Sequence, residues 1–382
     1  MATHPATLAA PAVSSTCGAQ HLQGAALGLA HVDDLWHDVC AVRQDSTWRR
    51  KPAQTPKNGE TTVVRVAVLD DYQDAALKMT DWSVLPSDVQ VQVFRDHLAD
   101  QQAVAQRLRG FEIVMAMRER TPFPRRLLEE LPQLKLLITT GMRNASIDIE
   151  AAQDLGITVC GTTGLGYPTA ELTWGLILAL LRRIPQEDKA TRAGQWQVSV
   201  GEGLKGKVLG VIGLGNLGSQ VATVGEAFGM SLLAWSQNLT AERAAQCGAT
   251  LVGKDELLTQ SDVVTIHLVL SARTRGLIGA RELGLMQRTA YLVNTSRGPI
   301  VEEQSLIQAL QQGSIAGAGL DVYDAEPLPL DHPFRRLENT VITPHLGYVT
   351  MEGYRIFFGD AVEDMRAFLS GTPTRVITPP RG

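Results

Sequence analysis

Three short stretches of this sequence each end in a side chain suited to handling a small anion. NTSRG carries Arg297 at the end of an apolar run, DVYDAEP carries Glu326 just past another, and TPHLG carries His345 past a third. An arginine offers a planar, permanently charged fork that matches a carboxylate through two parallel hydrogen bonds. A histidine holds or gives a proton near neutral pH, and a glutamate beside it can orient and charge the ring. Together they would bind a carboxylate-bearing molecule and protonate an atom next to it. Singly, each has a plainer reading: a surface arginine, a loop glutamate before Pro327, a histidine satisfying a turn. His97 and His332 have no motif around them and read as structural or exposed.

A fourth stretch, GVIGLGNLG, sets Gly213, Gly215 and Gly218 in the spacing G-x-G-x-x-G. The first glycine permits a tight turn, the second lets the backbone approach a pyrophosphate, and the third lets helix pack on strand. The pattern alone is weak. Here it follows a strand-like run, KVLGVIGLG, and opens a helical one, NLGSQVATVGEAF, which is the context a dinucleotide site needs. Such a site usually has an acid on the ribose near the end of the next strand, but this chain reads AWSQNLT, with Ser236 eighteen residues after Gly218. An acid favours NAD and repels the extra phosphate of NADP, whereas Ser236, Gln237 and Asn238 do neither. Arg243, the nearest cation, falls in the next helical pattern. The expectation is NAD or NADP with weak discrimination.

The elements that must position these residues read as alternating strands and helices. Runs at 63–72, 111–117, 134–140 and 157–163 form one series of buried parallel strands. Strands at 208–212, 231–235, 263–267, 290–294, 316–320 and 340–343 form a second. A long helix is expected over 167–184, with a proline near its start and arginines in its last turn. Another, over 351–371, sets Tyr354, Phe357, Phe358, Ala361, Met365 and Phe368 on one face and stops at Gly371. The fold class is α/β, two doubly wound parallel-sheet domains crossed twice by the chain. The one that carries the glycine turn reads as a Rossmann-type dinucleotide domain. In open parallel sheets ligands lie beyond the carboxyl ends of the strands, so the motifs converge on one crevice.

Composition narrows the class. The 382 residues are 44% hydrophobic and 20% charged, with net charge −5, which reads as a globular chain with ample core. No basic block suggests nucleic acid, and LTWGLILALL (172–181) is far short of the ~18 apolar residues of a membrane span. The four cysteines, Cys17, Cys40, Cys160 and Cys247, show no CxxC spacing; a reduced, cytoplasmic chain is expected. Residues 1–62, with no Lys or Arg before Arg43, lack the marks of a secretory or mitochondrial leader. They read as a largely disordered extension, with one amphipathic helical pattern at 31–42.

The glycine turn, the NTSRG arginine, the DVYDAEP glutamate and the TPH-G histidine, in this order, resemble the D-isomer-specific 2-hydroxyacid dehydrogenase family. Arg297 and Glu326 are 29 residues apart, Glu326 and His345 19, and the likeness covers about residues 63–382. It implies an oxidoreductase interconverting a small 2-keto acid and a D-2-hydroxy acid, with NAD(P)(H), in a homodimer. It implies a flavodoxin-like substrate domain of residues 63–166 and 346–382 and a Rossmann-type dinucleotide domain of 167–345. Arg297 and backbone N–H groups around Gly141 and Met142 would hold the carboxylate, and His345, kept charged by Glu326, would protonate the carbonyl oxygen. Gly213, Gly215, Asn216, Leu217, Gly218, Ser236, His267, Thr295, Ser296, Asp321 and Gly347 would line the cofactor. The alternative is a dinucleotide-sensing binding protein, similar to the corepressors of this fold, with little turnover.

Two departures stand out. The substrate loop reads TTGMRNASIDI, with Arg143 where the family has a glycine and Ala145 where it has an Asp. RERTP sets Arg120 where the family's phosphoglycerate dehydrogenases bind a phosphate. Arg120 and Arg143 either favour a doubly anionic substrate or are solvated charges. No regulatory domain is expected after the last helix.

Overall fold

In the computed structural model, which describes residues 63–379, every pair of neighbouring strands runs parallel. The expected N-terminal extension, its 31–42 pattern, Cys17 and Cys40 lie outside the described residues. Five strands, β1 (Val64–Val68), β2 (Val89–Val93), β3 (Ile113–Ala116), β4 (Leu136–Thr139) and β5 (Thr158–Gly161), form one sheet in the order β2-β1-β3-β4-β5. This is the flavodoxin-like order. Helices α1 (Ala76–Met79), α2 (Gln101–Leu108), α3 (Arg125–Glu129) and α4 (Ile149–Asp154) connect its strands.

The second sheet comprises β6 (Val208–Ile212), β7 (Ser231–Trp235), β8 (Thr250–Leu251), β9 (Val263–Ile266), β10 (Tyr291–Asn294), β11 (Gly317–Leu320) and β12 (Thr340–Ile342). Its order, β12-β11-β10-β9-β6-β7-β8, reverses at β6, the dinucleotide-fold switch point. In chain order α5 (Pro168–Leu181) and α6 (Ile184–Arg192) fall between the two series of strands. Helices α7 (Asn216–Ala227), α8 (Ala241–Gln246), α9 (Lys254–Gln260), α10 (Ala280–Leu285) and α11 (Glu303–Gln311) link the later strands, and α12 (Met351–Leu369) follows β12.

Central strands are largely apolar because helices cover both faces. In the second sheet, Leu257, Leu283 and Leu306 pack on one face and Trp174, Ile177 and Val221 on the other. In the first, Val104, Leu127 and Ala151 cover one face. The other is sealed by α12, whose Tyr354, Phe357, Phe358, Ala361 and Met365 are buried against Val66, Met115 and Ile138. Burying one such aromatic side chain contributes ~1.5–3 kcal/mol. The chain thus returns to the first sheet after finishing the second.

Two elements differ from the expectation. Strand β2, VQVQV, alternates half-buried valines with exposed Gln90 and Gln92; as an edge strand it needs no continuous apolar run. The helix expected over 167–184 ends at Leu181, and Arg183 adopts left-handed backbone at φ 52°. Pro185 has no N–H for the Leu181 carbonyl, which a helix continuing through it would require. That carbonyl accepts from Glu202 N–H at 2.7 Å instead.

Candidate active site

Residues from both sheets meet beyond the carboxyl ends of adjacent strands. Neighbouring strands lie about 4.8 Å apart, so the turns after β12, β11, β10, β9 and β6 make a continuous rim. His345 follows β12, Glu326 follows β11, Arg297 follows β10, His267 follows β9, and Gly213 follows β6.

His345 and Glu326 are in direct contact, with Nδ1 2.6 Å from Oε2. The other Glu326 oxygen accepts the Tyr323 N–H at 3.0 Å, so the carboxylate is held from behind. His345 itself sits in left-handed backbone, φ 55°, a conformation that costs a non-glycine residue energy and persists only where neighbours impose it. Asp321 supplies that constraint. It is fully buried, its Oδ1 accepting from Thr343 Oγ1 at 2.6 Å and Leu346 N–H at 2.7 Å, its Oδ2 from Gly347 N–H at 2.8 Å. The Asp321 carbonyl takes the His345 N–H at 2.8 Å. Burial pushes the Asp321 pKa up against these donors. Asp321 and Gly347, expected at the cofactor, therefore also build the histidine turn.

Arg297 stands in a turn clamped by buried Asn294, whose Nδ2 donates to the Arg297 carbonyl and whose Oδ1 accepts the Ser296 N–H, both at 3.0 Å. Ser296 Oγ donates to the Ile266 carbonyl at 2.7 Å, and the Thr295 hydroxyl lies 2.9 Å from that of Thr173. Arg297 Nη1 donates to the Ser296 carbonyl at 2.7 Å, and Nη2 to Glu119 Oε1 at 2.9 Å. Glu119, from the turn after β3, was not foreseen. The alternating charges of RERTP were its only local signal. Burial would raise its pKa, but Arg297 and Arg118 outweigh burial and hold it below the ordinary carboxylate range.

Arg120 reaches the same region. Its guanidinium lies 4.5 Å from the Tyr72 ring centre and 5.7 Å from that of Tyr348, and Nη1 donates to the Asp70 carbonyl at 2.8 Å. Tyr348, also unforeseen, meets the His345 ring edge-on at 5.4 Å. Arg143 is exposed, in keeping with a solvated charge. Gly141, expected in the carboxylate cradle, has its N–H donating to Thr162 Oγ1 at 2.9 Å. Met142, half exposed, has an N–H with no acceptor among the described residues. His97 pairs with Asp70 and His332 with Glu303, each at 3.0 Å, as structural histidines do.

The glycine turn fits a dinucleotide. Gly213 has φ 100°, and a Cβ there would lie 2.6 Å from the His267 carbonyl oxygen; one on Gly218 would overlap the Gly213 carbonyl. A Cβ on Gly215 would meet nothing within 4 Å, so space is open before the turn. Asn216, Leu217 and Gly218 are the first three residues of α7, whose leading N–H groups have no partner within the helix. His267 Nε2 lies 2.9 Å from Thr265 Oγ1, while buried Nδ1 has no partner. Burial lowers its pKa to about 4, leaving it neutral at pH 7. Ser236 follows β7 directly beside this turn, since Gly213 N–H donates to the Trp235 carbonyl at 2.8 Å. Arg243 lies in α8 and is exposed.

Among the described residues no helix is long and apolar enough to cross a membrane, and no cluster of His, Cys, Asp or Glu could hold a metal. Residues 174–347 match the family model described as D-isomer specific 2-hydroxyacid dehydrogenase, NAD binding domain. A glyoxylate reductase of Aeropyrum pernix is 41% identical over 64% of this chain and 76% of its own. A phosphoglycerate oxidoreductase of Vibrio cholerae superposes with TM-score 0.77 at 35% identity, covering 81% of this chain and 99% of that one. A D-lactate dehydrogenase of Aquifex aeolicus, solved with NAD and lactic acid, gives TM-score 0.68 at 26% identity over 83% of this chain and 100% of that one.

Proposed function

The chain belongs to the D-isomer specific 2-hydroxyacid dehydrogenase family, and from that premise we propose how its residues interconvert a small 2-keto acid and a D-2-hydroxy acid with NAD(H). The observation that carries this reading is the 2.6 Å His345–Glu326 contact one strand away from the Arg297 turn. Arg297 keeps its Nε–H and one hydrogen on each terminal nitrogen for a substrate carboxylate, with the Met142 N–H as a second donor. Glu326, braced by Tyr323, fixes His345 through Nδ1 and leaves Nε2 to give a proton to the carbonyl oxygen, or to take it back in the oxidation. When bound, the nicotinamide supplies the hydride for the carbonyl carbon. Gly213, Gly215, Asn216, Leu217 and Gly218 would hold the pyrophosphate, Ser236 the ribose, and His267, Thr295, Ser296, Asp321 and Gly347 the nicotinamide end. No observation favours a dinucleotide sensor without turnover.

Residues 63–166 with the returning segment from 346 form the substrate domain in this reading, and 167–345 the dinucleotide domain. With no acid at Ser236, both NADH and NADPH serve. The chain acts as a homodimer: Trp196, Val198 and Val200 stand exposed in the segment after α6, an apolar patch that a second copy would cover. The free thiols of Cys160 and Cys247 suit the cytoplasm.

The test is NADH oxidation with glyoxylate, hydroxypyruvate and pyruvate, followed by chiral separation of the product from pyruvate. The D isomer is expected; the L isomer, or no turnover with any of the three, refutes the reading.

A further inference from the structure

Arg297 already holds a carboxylate, and it comes from the other sheet. Glu119 Oε1 lies 2.9 Å from Arg297 Nη2, across 178 residues of sequence. The pair is sheltered, with side-chain exposures of 32% for Arg297 and 24% for Glu119. The second oxygen, Oε2, is buried and accepts no hydrogen bond among the described residues. Another cation, Arg118, stands with Nε 3.8 Å from that oxygen. Arg118 spends little of its donor capacity elsewhere: Nη1 makes one long bond, 3.4 Å, to the Thr140 carbonyl.

We infer that Glu119 is an internal competitor for the substrate carboxylate, latching the two sheets through Arg297 when no substrate is bound and passing to Arg118 when one arrives. The inference rests on the reading of Arg297 as the carboxylate fork. A substrate carboxylate arriving while Glu119 stays in place would put two anions on one guanidinium, in a space where little water screens them. Arg118 relieves that repulsion by a side-chain rotation, because it already faces the idle oxygen of Glu119. The exchange makes Glu119 a specificity residue. A carbonyl compound without a carboxylate cannot displace it, and a keto acid binds with its affinity reduced by the fraction of molecules whose fork is free. The rival arrangement is a brace, in which Glu119 keeps its grip and aims Arg297 at the substrate.

Oxamate, an unreactive keto-acid isostere, separates the two by calorimetry on the NADH-saturated enzyme, without needing turnover. With a latch, Glu119→Gln and Glu119→Ser both bind oxamate more tightly, by about 3- to 30-fold, and KM for glyoxylate falls in parallel. Arg118→Gln weakens oxamate binding while Glu119 is present and has no effect in the Glu119→Gln background, a coupling that a merely structural role would not produce. Unchanged or weaker oxamate binding in both Glu119 variants overturns the latch. If Arg297→Ala then abolishes oxamate binding, the fork still stands. If Arg297→Ala binds oxamate as the wild type does, fork and latch fall together.

Discussion

Glu326 grips His345 Nδ1 at 2.6 Å with one carboxylate oxygen and the Tyr323 N–H at 3.0 Å with the other. A glutamine in its place keeps the shape and the backbone bond but removes the charge facing the ring. Hydrogen bonds to charged groups contribute about 1.5–3 kcal/mol, so Glu326→Gln should lower kcat for keto-acid reduction by about 10- to 150-fold. Steady-state kinetics checks this, and a kcat equal to wild type would remove Glu326 from the proton-handling pair.

Arg297→Lys should raise KM for the keto acid by about 10- to 100-fold, since a point ammonium cannot reproduce a planar fork. Lysine also loses the simultaneous hold on Ser296 and Glu119. Initial rates over a range of glyoxylate concentrations report the change. Unaltered KM and kcat would mean that Arg297 does not touch substrate.

Ser236 sits beside the glycine turn, and exposed Arg243 lies within α8. Charge-assisted recognition of either ribose is absent at Ser236, so kcat/KM for NADH and NADPH should agree within about 100-fold. Ser236→Asp should then shift the ratio toward NADH by about 10- to 150-fold. Wild-type selectivity beyond a thousandfold in either direction contradicts this account of the cofactor pocket.

Asp364, fully buried on α12, accepts from Thr374 Oγ1 at 2.9 Å and Arg375 Nη2 at 3.0 Å. Burial nevertheless pushes its pKa up to about 6. A carboxyl whose folded pKa lies above its unfolded value binds its proton more tightly when folded. Its contribution to stability is complete below about pH 4 and is lost as pH rises through 6. The stability of wild type relative to Asp364→Asn should therefore fall by roughly 1–3 kcal/mol between pH 4 and 7. Denaturant melts at the two pH values decide it, and a constant difference would show an ordinary carboxyl.

Much of this was legible in the sequence, for identifiable reasons. Strands buried on both faces must be largely apolar, so the valines and alanine of VRVAV and the first three residues of YLVN announce themselves. The inner face of α12 repeats at helical spacing from Tyr354 to Met365. Arg297, Glu326 and His345 each sit just past such a strand, which is why they could be placed on one rim. What stayed hidden depends on a strand's place in the sheet, on one local break and on partners distant in sequence. Edge strand β2 mixes valine with glutamine, and the break before Pro185 turns on a single missing N–H. The Gly141 N–H is taken by a hydroxyl just past the neighbouring strand, and Glu119 meets Arg297 because the turns after β3 and β10 come together.

The central claim is that His345 gives the proton in a keto-acid reduction driven by a nicotinamide cofactor. The direct measurement is kcat for glyoxylate reduction by wild type and His345→Ala, with NADH affinity measured in parallel by fluorescence. The account predicts turnover by the wild type, a loss of about 10²–10⁴ in the variant, and nearly equal NADH affinity. Wild-type turnover in His345→Ala would contradict it.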